Sequence, residues 1–257
     1  MGKYRGGSKP WEDDDADGKK LDTRQFPEMN AVFYTADPSD FIKMRVKMLS
    51  LVGTPDVFLR PAFAVDRRIG SMAFGGSEVP SSEERQRYLR TEAVTIVHHA
   101  SEALLRLFFA HVDHPECPWL GMSASLSPRE FKEQVDDALT RGFSRADISQ
   151  VFLGGSDHED AGVAMTPEDF SATVESIEML LIDCAVRFIG DAFLYNAVKH
   201  GLTAIDLDDE EAKMEWESHD GERVRMHKGP LHVYLHRKLA PAARVSEGHH
   251  HLAAADL

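Results

Sequence analysis

Four short motifs state where helices begin in this chain, and together they confine it to a mainly helical fold. Ser127-Pro128-Arg129-Glu130 has a hydroxyl at the cap, Pro at the first helical position and an acid three residues after the cap. Ser81-Ser82-Glu83-Glu84 fits the same capping box, and Thr166-Pro167-Glu168-Asp169 repeats the plan with Asp as the acid. The hydroxyl satisfies an orphan backbone N–H, and the acid favours the positive end of the helix dipole. Asp37-Pro38-Ser39-Asp40 reads as a fourth start, with Asp37 as cap and Pro38 at the first helical position.

The apolar period gives each start a length. From Ser81 to about Val112, Leu89, Ala93, Val97, Ala100, Leu104 and Phe108 follow a 3.6-residue repeat. Val94, Ile96, Leu105 and Phe109 widen that stripe, which predicts a central helix. After Pro167 a helix of similar length carries Phe170, Val174, Ile177, Leu181, Cys184, Phe188 and Tyr195 on one side, with Gly190 as a bend and Gly201 as its C-terminal stop. The two are expected to pack along Ala93, Val97, Ala100 and Leu104 against Ile177, Leu181, Cys184 and Phe188. A shorter helix continues from Asp40 through Phe41, Met44, Val46 and Met48 to Gly53-Thr54-Pro55. Two more lie after Ser127 and over Arg145 to Leu153, the second ended by Gly154-Gly155.

Beyond Asp206 the pattern changes to short runs, Lys213 to Glu217, Glu222 to Met226 and Leu231 to His236, separated by Asp220-Gly221 and Gly229-Pro230. Asp-Gly between alternating segments signals a hairpin, and the three runs predict an antiparallel β-meander. The expected organisation is a disordered tail over 1–30, a helical bundle over 31–205, the β-meander over 206–240 and a second tail over 241–257.

Composition narrows the function classes. The hydrophobic fraction is 42%, enough for a substantial core in 257 residues, and no stretch reaches the ~20 apolar residues of a membrane helix. The two cysteines, Cys117 and Cys184, exclude a disulfide scaffold and predict free thiols in a reducing compartment, so a cytoplasmic, membrane-free protein is expected. The net charge of −14 repels phosphate backbones at long range.

Candidate chemistry is sparse. No phosphate-binding Gly-x-x-x-x-Gly-Lys-Ser/Thr loop and no Gly-x-Ser-x-Gly elbow occurs, and a single Glu-x-x-His, Glu247 to His250, stands in the predicted tail where a di-iron bundle needs two on helices, which leaves no nucleotide-loop, hydrolase or di-iron signature and no expected cofactor. His111, His114 and Cys117 are spaced by three, but a structural zinc site needs four ligands, and a histidine-rich helix end is the simpler account. His98, Glu102 and Arg106 recur every four residues, either as a solvated stripe or as a polar seam facing a ligand. Arg223, Arg225, Lys228, Arg237 and Lys238, interleaved with Tyr234, form a locally basic stretch. It reads either as a grip on single-stranded nucleic acid or as the solvent face of an edge hairpin.

The segment Tyr195-Asn196-Ala197-Val198-Lys199-His200-Gly201 resembles the hallmark of the HEPN superfamily. Those proteins are helical bundles of bacterial defence systems, many of them metal-independent RNases, marked by Arg, often Asn, and a His five positions after the Arg. Asn196, His200 and Gly201 fall in that register, while Tyr195 stands in the Arg position. The resemblance implies a homodimeric bundle with RNA or a nucleotide as ligand. It implies His200 as the catalytic candidate, with Tyr195, Asn196 and Lys199 as ligand-binding candidates, to which the polar-seam reading adds His98 and Glu102. Cleavage also needs a cation to stabilise the phosphorane charge. Lys199 projects ~100° from its neighbour on a helix and does not replace a guanidinium in the Arg position. The expectation is therefore a non-catalytic binding or interaction module. The rival readings are a metal-independent RNase using His200 and an unrelated structural or regulatory helical protein.

Overall fold

The computed structural model describes residues 22–74, 76, 78–123 and 126–199, and beyond them the strand segments 204–207, 215–217, 223–225, 231–238 and 249–256. Most of this is helix. The helices are α1 (Phe26–Thr35), α2 (Asp40–Val52), α3 (Asp56–Ala64), α4 (Ser82–Asp113), α5 (Pro118–Ser123), α6 (Pro128–Arg141), α7 (Arg145–Leu153), α8 (Pro167–Gly190) and α9 (Ala192–Val198). A small antiparallel hairpin, β1 (Arg67–Ile69) and β2 (Met72–Phe74), lies between α3 and α4.

Three of the predicted starts are formed by the predicted atoms. The Ser81 hydroxyl accepts from the Glu84 amide at 3.2 Å, and the Glu84 carboxylate accepts from the Ser81 amide at 2.7 Å. Ser127 and Glu130 make the same reciprocal pair at 3.2 and 2.8 Å. The Thr166 hydroxyl accepts from the Asp169 amide at 3.1 Å. The fourth start differs. Asp37 takes a positive φ of 44°, and its carboxylate accepts from both the amide and the hydroxyl of Ser39, so α2 begins at Asp40 instead of at Pro38. The short Asp side chain closes a turn on the two following residues and delays the helix.

α4 is central: α2, α5, α7, α8 and α9 all pack on it. The core gathers Leu105 and Phe108 of α4, Phe131 and Val135 of α6, Ile148 of α7, and Val174, Leu181, Cys184, Ala185 and Phe188 of α8, joined by Phe143 from the α6–α7 turn. Phe131 meets Phe188 edge-on at 5.3 Å, and Phe108 meets Phe143 edge-on at 5.7 Å.

The predicted α4–α8 interface holds on α8 and is out of phase on α4. Leu181, Cys184 and Phe188 are buried, but Val97 is 44% exposed and Leu104 is half-buried. The innermost stripe of α4 runs through His98, Ser101, Leu105 and Phe108. Two of those four are polar, so an apolar pattern passes them by. Ser101 is buried against the Cys184 thiol of α8.

Other boundaries also shift. α1 starts inside the stretch expected to be a tail. Its side chains are held from the far end of α4: Asn30 Nδ2 donates to the Glu116 carbonyl at 2.9 Å, Phe33 stacks on Trp119, and the Tyr34 hydroxyl bonds His111. The single long helix expected after Pro167 breaks at Asp191 into α8 and α9. The expected stop at Gly201 lies outside the described residues. In place of a three-stranded meander, β4 (Glu215–Glu217) and β5 (Arg223–Arg225) pair only with each other. β6 (Leu231–Lys238) pairs with β3 (Ala204–Leu207) on one edge and β7 (His249–Asp256) on the other. β7 falls in the predicted C-terminal tail. Its Ala and His residues have little strand preference, and ladder pairing along all of β6 makes it a strand.

The phase of α4 is measurable. Leu105→Ala should cost about 2–5 kcal/mol in urea unfolding, as expected for a fully buried Leu. Leu104→Ala should cost less than half of that. Equal losses would restore the phase read from the apolar repeat.

Candidate functional site

Two sites emerge, one polar and internal, the other apolar and open. The polar one forms where α4 meets α9. Tyr195 lies over His98 in a parallel stack, with centroids 3.9 Å apart and planes 9° from parallel, and Phe188 approaches the other ring at 5.3 Å. His98 is buried, and its Nδ1 has no hydrogen-bond partner among the described residues. His99 Nε2 lies 2.7 Å from the Tyr195 hydroxyl, and His99 Nδ1 lies 2.6 Å from Arg45 Nη1. Arg45, from α2, also pairs with Glu92 at 2.5 Å.

Donor chemistry orders this relay. A guanidinium only donates, so His99 Nδ1 accepts from Arg45. The ring proton therefore sits on Nε2 and is donated to the Tyr195 oxygen, which fixes His99 as a neutral imidazole in one tautomer. Burial, and then the Arg45 charge, push the His99 pKa below its ordinary value. Burial also lowers His98 and raises the Tyr195 phenol. The relay joins α2, α4 and α9 and ends at a carboxylate that neutralises its cation.

The other candidates of the sequence reading are placed as follows. Glu102 is not part of the relay: it pairs with Arg106 at 2.8 Å, and that guanidinium lies 3.9 Å over the Phe131 ring. Asn196 and Lys199 are exposed at the end of α9, where Lys199 Nζ donates to Asn196 Oδ1 at 2.7 Å. His200 lies outside the described residues, as does Lys228. The β4–β5 register sets Arg225 opposite Glu215 and Arg223 opposite Glu217, while Arg237 and Lys238 belong to another sheet, opposite His250 and His249. The register thus divides the basic stretch between two sheets and aligns two of its cations with carboxylate residues. Among the described residues no three His, Cys, Asp or Glu side chains converge as a metal site. His111 is bonded to Tyr34 and Cys117 is buried. Also among the described residues, no helix is long and apolar enough to cross a membrane.

Sequence reasoning missed Arg45 and Glu92. Glu92 and His99 are seven apart, two turns on one helix face, which is a readable signal. Arg45 comes from another helix and has no local signature.

The apolar site is a groove between α2, α3 and the start of α4. A cavity of about 340 Å³ is lined by Val52, Leu59, Phe63, Pro80 and Tyr88 with Glu84 and Arg85, and a second of about 230 Å³ by Phe41, Met44, Met48, Leu49, Val52 and Tyr88, with the Arg45–Glu92 pair of the relay forming part of its wall. Val52 and Tyr88 line both, so the two are continuous. On the surface around them Phe41 and Phe58 are each 69% exposed, and Met48 is 52% exposed. Arg85 closes one end, donating to Asp56 and to the Pro80 carbonyl, each at 2.6 Å.

The lowered histidines give a pH dependence of known sign. His98, His99 and His111 all sit below the ordinary 6.5, each chiefly through burial. The unfolded chain then takes up protons first as the pH falls, so folding stability is complete above about pH 6.5 and declines below it. Urea midpoints at pH 7.5, 6.5 and 5.5 should fall in that order, and His99→Gln should flatten the decline. A midpoint that rises toward pH 5.5 would mean the rings are stabilised as imidazolium.

Comparison of the chain with family models, with curated proteins and with solved structures returns no match, so the resemblance at the end of α9 stands on its own residues.

Proposed function

We propose that this chain is a HEPN-like helical interaction module that does not catalyse. The observation that carries the reading is the open apolar groove of α2, α3 and α4, with Phe41, Met48 and Phe58 turned to solvent. Large contiguous apolar surface is uncommon on a monomer and marks an interaction site. It is costly to keep in water and contributes little to the chain's own core.

The relay supports the absence of catalysis. Phosphoryl chemistry of the HEPN kind needs a cation free to meet developing negative charge. Tyr195 occupies that position here, its oxygen is engaged by His99, and the nearby guanidinium of Arg45 is paired with Glu92. The net charge of −14 further opposes RNA.

Each half of the proposal has a test. Wild type, His200→Ala and Tyr195→Arg should all leave a mixed RNA substrate intact in EDTA. Cleavage by wild type that His200→Ala abolishes would establish an RNase. For the groove, the triple variant Phe41→Ser, Met48→Ser and Phe58→Ser should keep its unfolding free energy within about 1 kcal/mol of wild type, as surface positions do. A loss of several kcal/mol would make this surface part of the chain's own core and remove the basis for an interaction site.

A further inference from the structure

The charges around the groove say what kind of partner fits it. In an acidic chain, most of the described arginines are neutralised. Arg87 pairs with Glu83, Arg106 with Glu102, Arg129 with Glu133, Arg141 with Asp137, Arg145 with Glu178 and Arg187 with Asp183. Arg24, Arg45 and Arg85 are paired as well. Among the described residues between 22 and 199, the arginines whose side chains make no ion pair and no hydrogen bond are Arg60, Arg67 and Arg68. All three lie on α3 and on the hairpin strand that follows it. Lys47, on α2, is likewise exposed and unpaired. Residues 41–74 hold six cations and two carboxylates, a local net charge of +4 within a chain of −14.

The carboxylates that line or flank the two cavities, Asp56, Glu84 and Glu92, are already engaged, while Asp66 lies next to Arg67 at the start of the hairpin. Asp56 is held by Arg85 and Glu92 by Arg45, while Glu84 turns back to cap Ser81. The helices that supply the apolar floor therefore also carry unpaired positive charge, Lys47 on α2 and Arg60 on α3, with Arg67 and Arg68 on the strand that follows α3. The groove is concave and elongated. From Phe41 to Val52 it follows eleven residues of α2, roughly 17 Å, or about three turns of a facing helix. An amphipathic helix fills such a trough with side chains at i, i+3 or i+4, and i+7. A flat lipid surface would leave the trough empty.

We propose that the α2–α3–α4 groove binds an amphipathic helix of another protein, one whose apolar stripe is flanked by Asp and Glu. This rests on the interaction-module reading and names the chemistry of its partner. The apolar stripe of the partner lies along Met44, Met48, Val52 and Tyr88, and its acidic flank faces Lys47, Arg60, Arg67 and Arg68.

The test uses the full chain and labelled synthetic peptides, each long enough for four helical turns. One has a Leu stripe with Glu flanks, a second the same stripe with Lys flanks, and a third Glu flanks with the stripe changed to Gln. Fluorescence anisotropy should show the first binding at least ~10-fold more tightly than the second, with the advantage shrinking as salt is raised. The third should not bind. Arg60→Glu with Arg67→Glu and Arg68→Glu should reverse the preference, and Met48→Ser should weaken the first peptide while leaving the unfolding midpoint unchanged. Equal binding of the Glu- and Lys-flanked peptides would overturn the proposal. So would binding to phosphatidylserine vesicles that Met48→Ser abolishes, since the occupant would then be a lipid surface. Sedimentation that shows a dimer lost in Met48→Ser would overturn it in favour of a second copy, while keeping the interaction reading. If peptides, vesicles and a second copy all fail to engage the groove, both readings fall.

Discussion

The structure depends on the burial of one helix on several sides at once. α4 receives α8 and α7 on one side, α2 on another, α5 near its C-terminal end and α9 near its middle. Over its middle turns, around His98 to Ser101, a helix so enclosed buries polar residues together with apolar ones. His98, Ser101 and His99 are consequently met by partners from other helices: a Tyr ring, a Cys thiol, an Arg and a Tyr hydroxyl. The hydrogen bonds of His99 offset the cost of taking a polar group out of water, while the stack on Tyr195 leaves His98 Nδ1 unpartnered. The neutral state of the imidazoles follows from the same enclosure.

The two sites differ in how they relate to that core. The relay satisfies itself, because its cation meets a carboxylate, its imidazole has a donor and an acceptor, and its phenol closes the series. Such a network fixes geometry and leaves little to offer a substrate. The groove is the reverse. Its apolar side chains face water and its cations lack counter-charges, so its unsatisfied groups are available to something outside the chain. The proposed interaction is assigned to the groove for that reason.

What could be read in advance was local. Ser81, Ser127 and Thr166 each act on an amide three residues away, and a four-residue motif contains the whole interaction. The start at Asp37 failed because an Asp beside Ser has two local options, and the turn won. The phase of α4 failed because the deepest positions include His98 and Ser101, whose burial is decided by α8 and α9. The start of α1 was passed over because the partners of Asn30 and Phe33, Glu116 and Trp119, are far along the chain. The candidate site divides in the same way. Tyr195 and His98 were legible as a polar end and a polar seam, but not as a stack. Arg45 was invisible, since only the docking of α2 brings it to His99. Glu102 pairs with Arg106 of its own helix, the partner that their four-residue spacing already offered.

The distance between His99 and Tyr195 along the chain has a consequence for how the protein is made. They are separated by 96 residues. At about 5–20 residues per second, α9 leaves the ribosome on the order of 5–20 s after the middle of α4. Arg45 is already present, so during that interval His99 has its donor but not its acceptor, and the buried face of α4 has no α8 to cover it. The nascent chain thus passes through a stage in which its longest helix is both apolar and incomplete. Its safe passage depends on whatever holds such surfaces in the cell until the last third of the chain arrives.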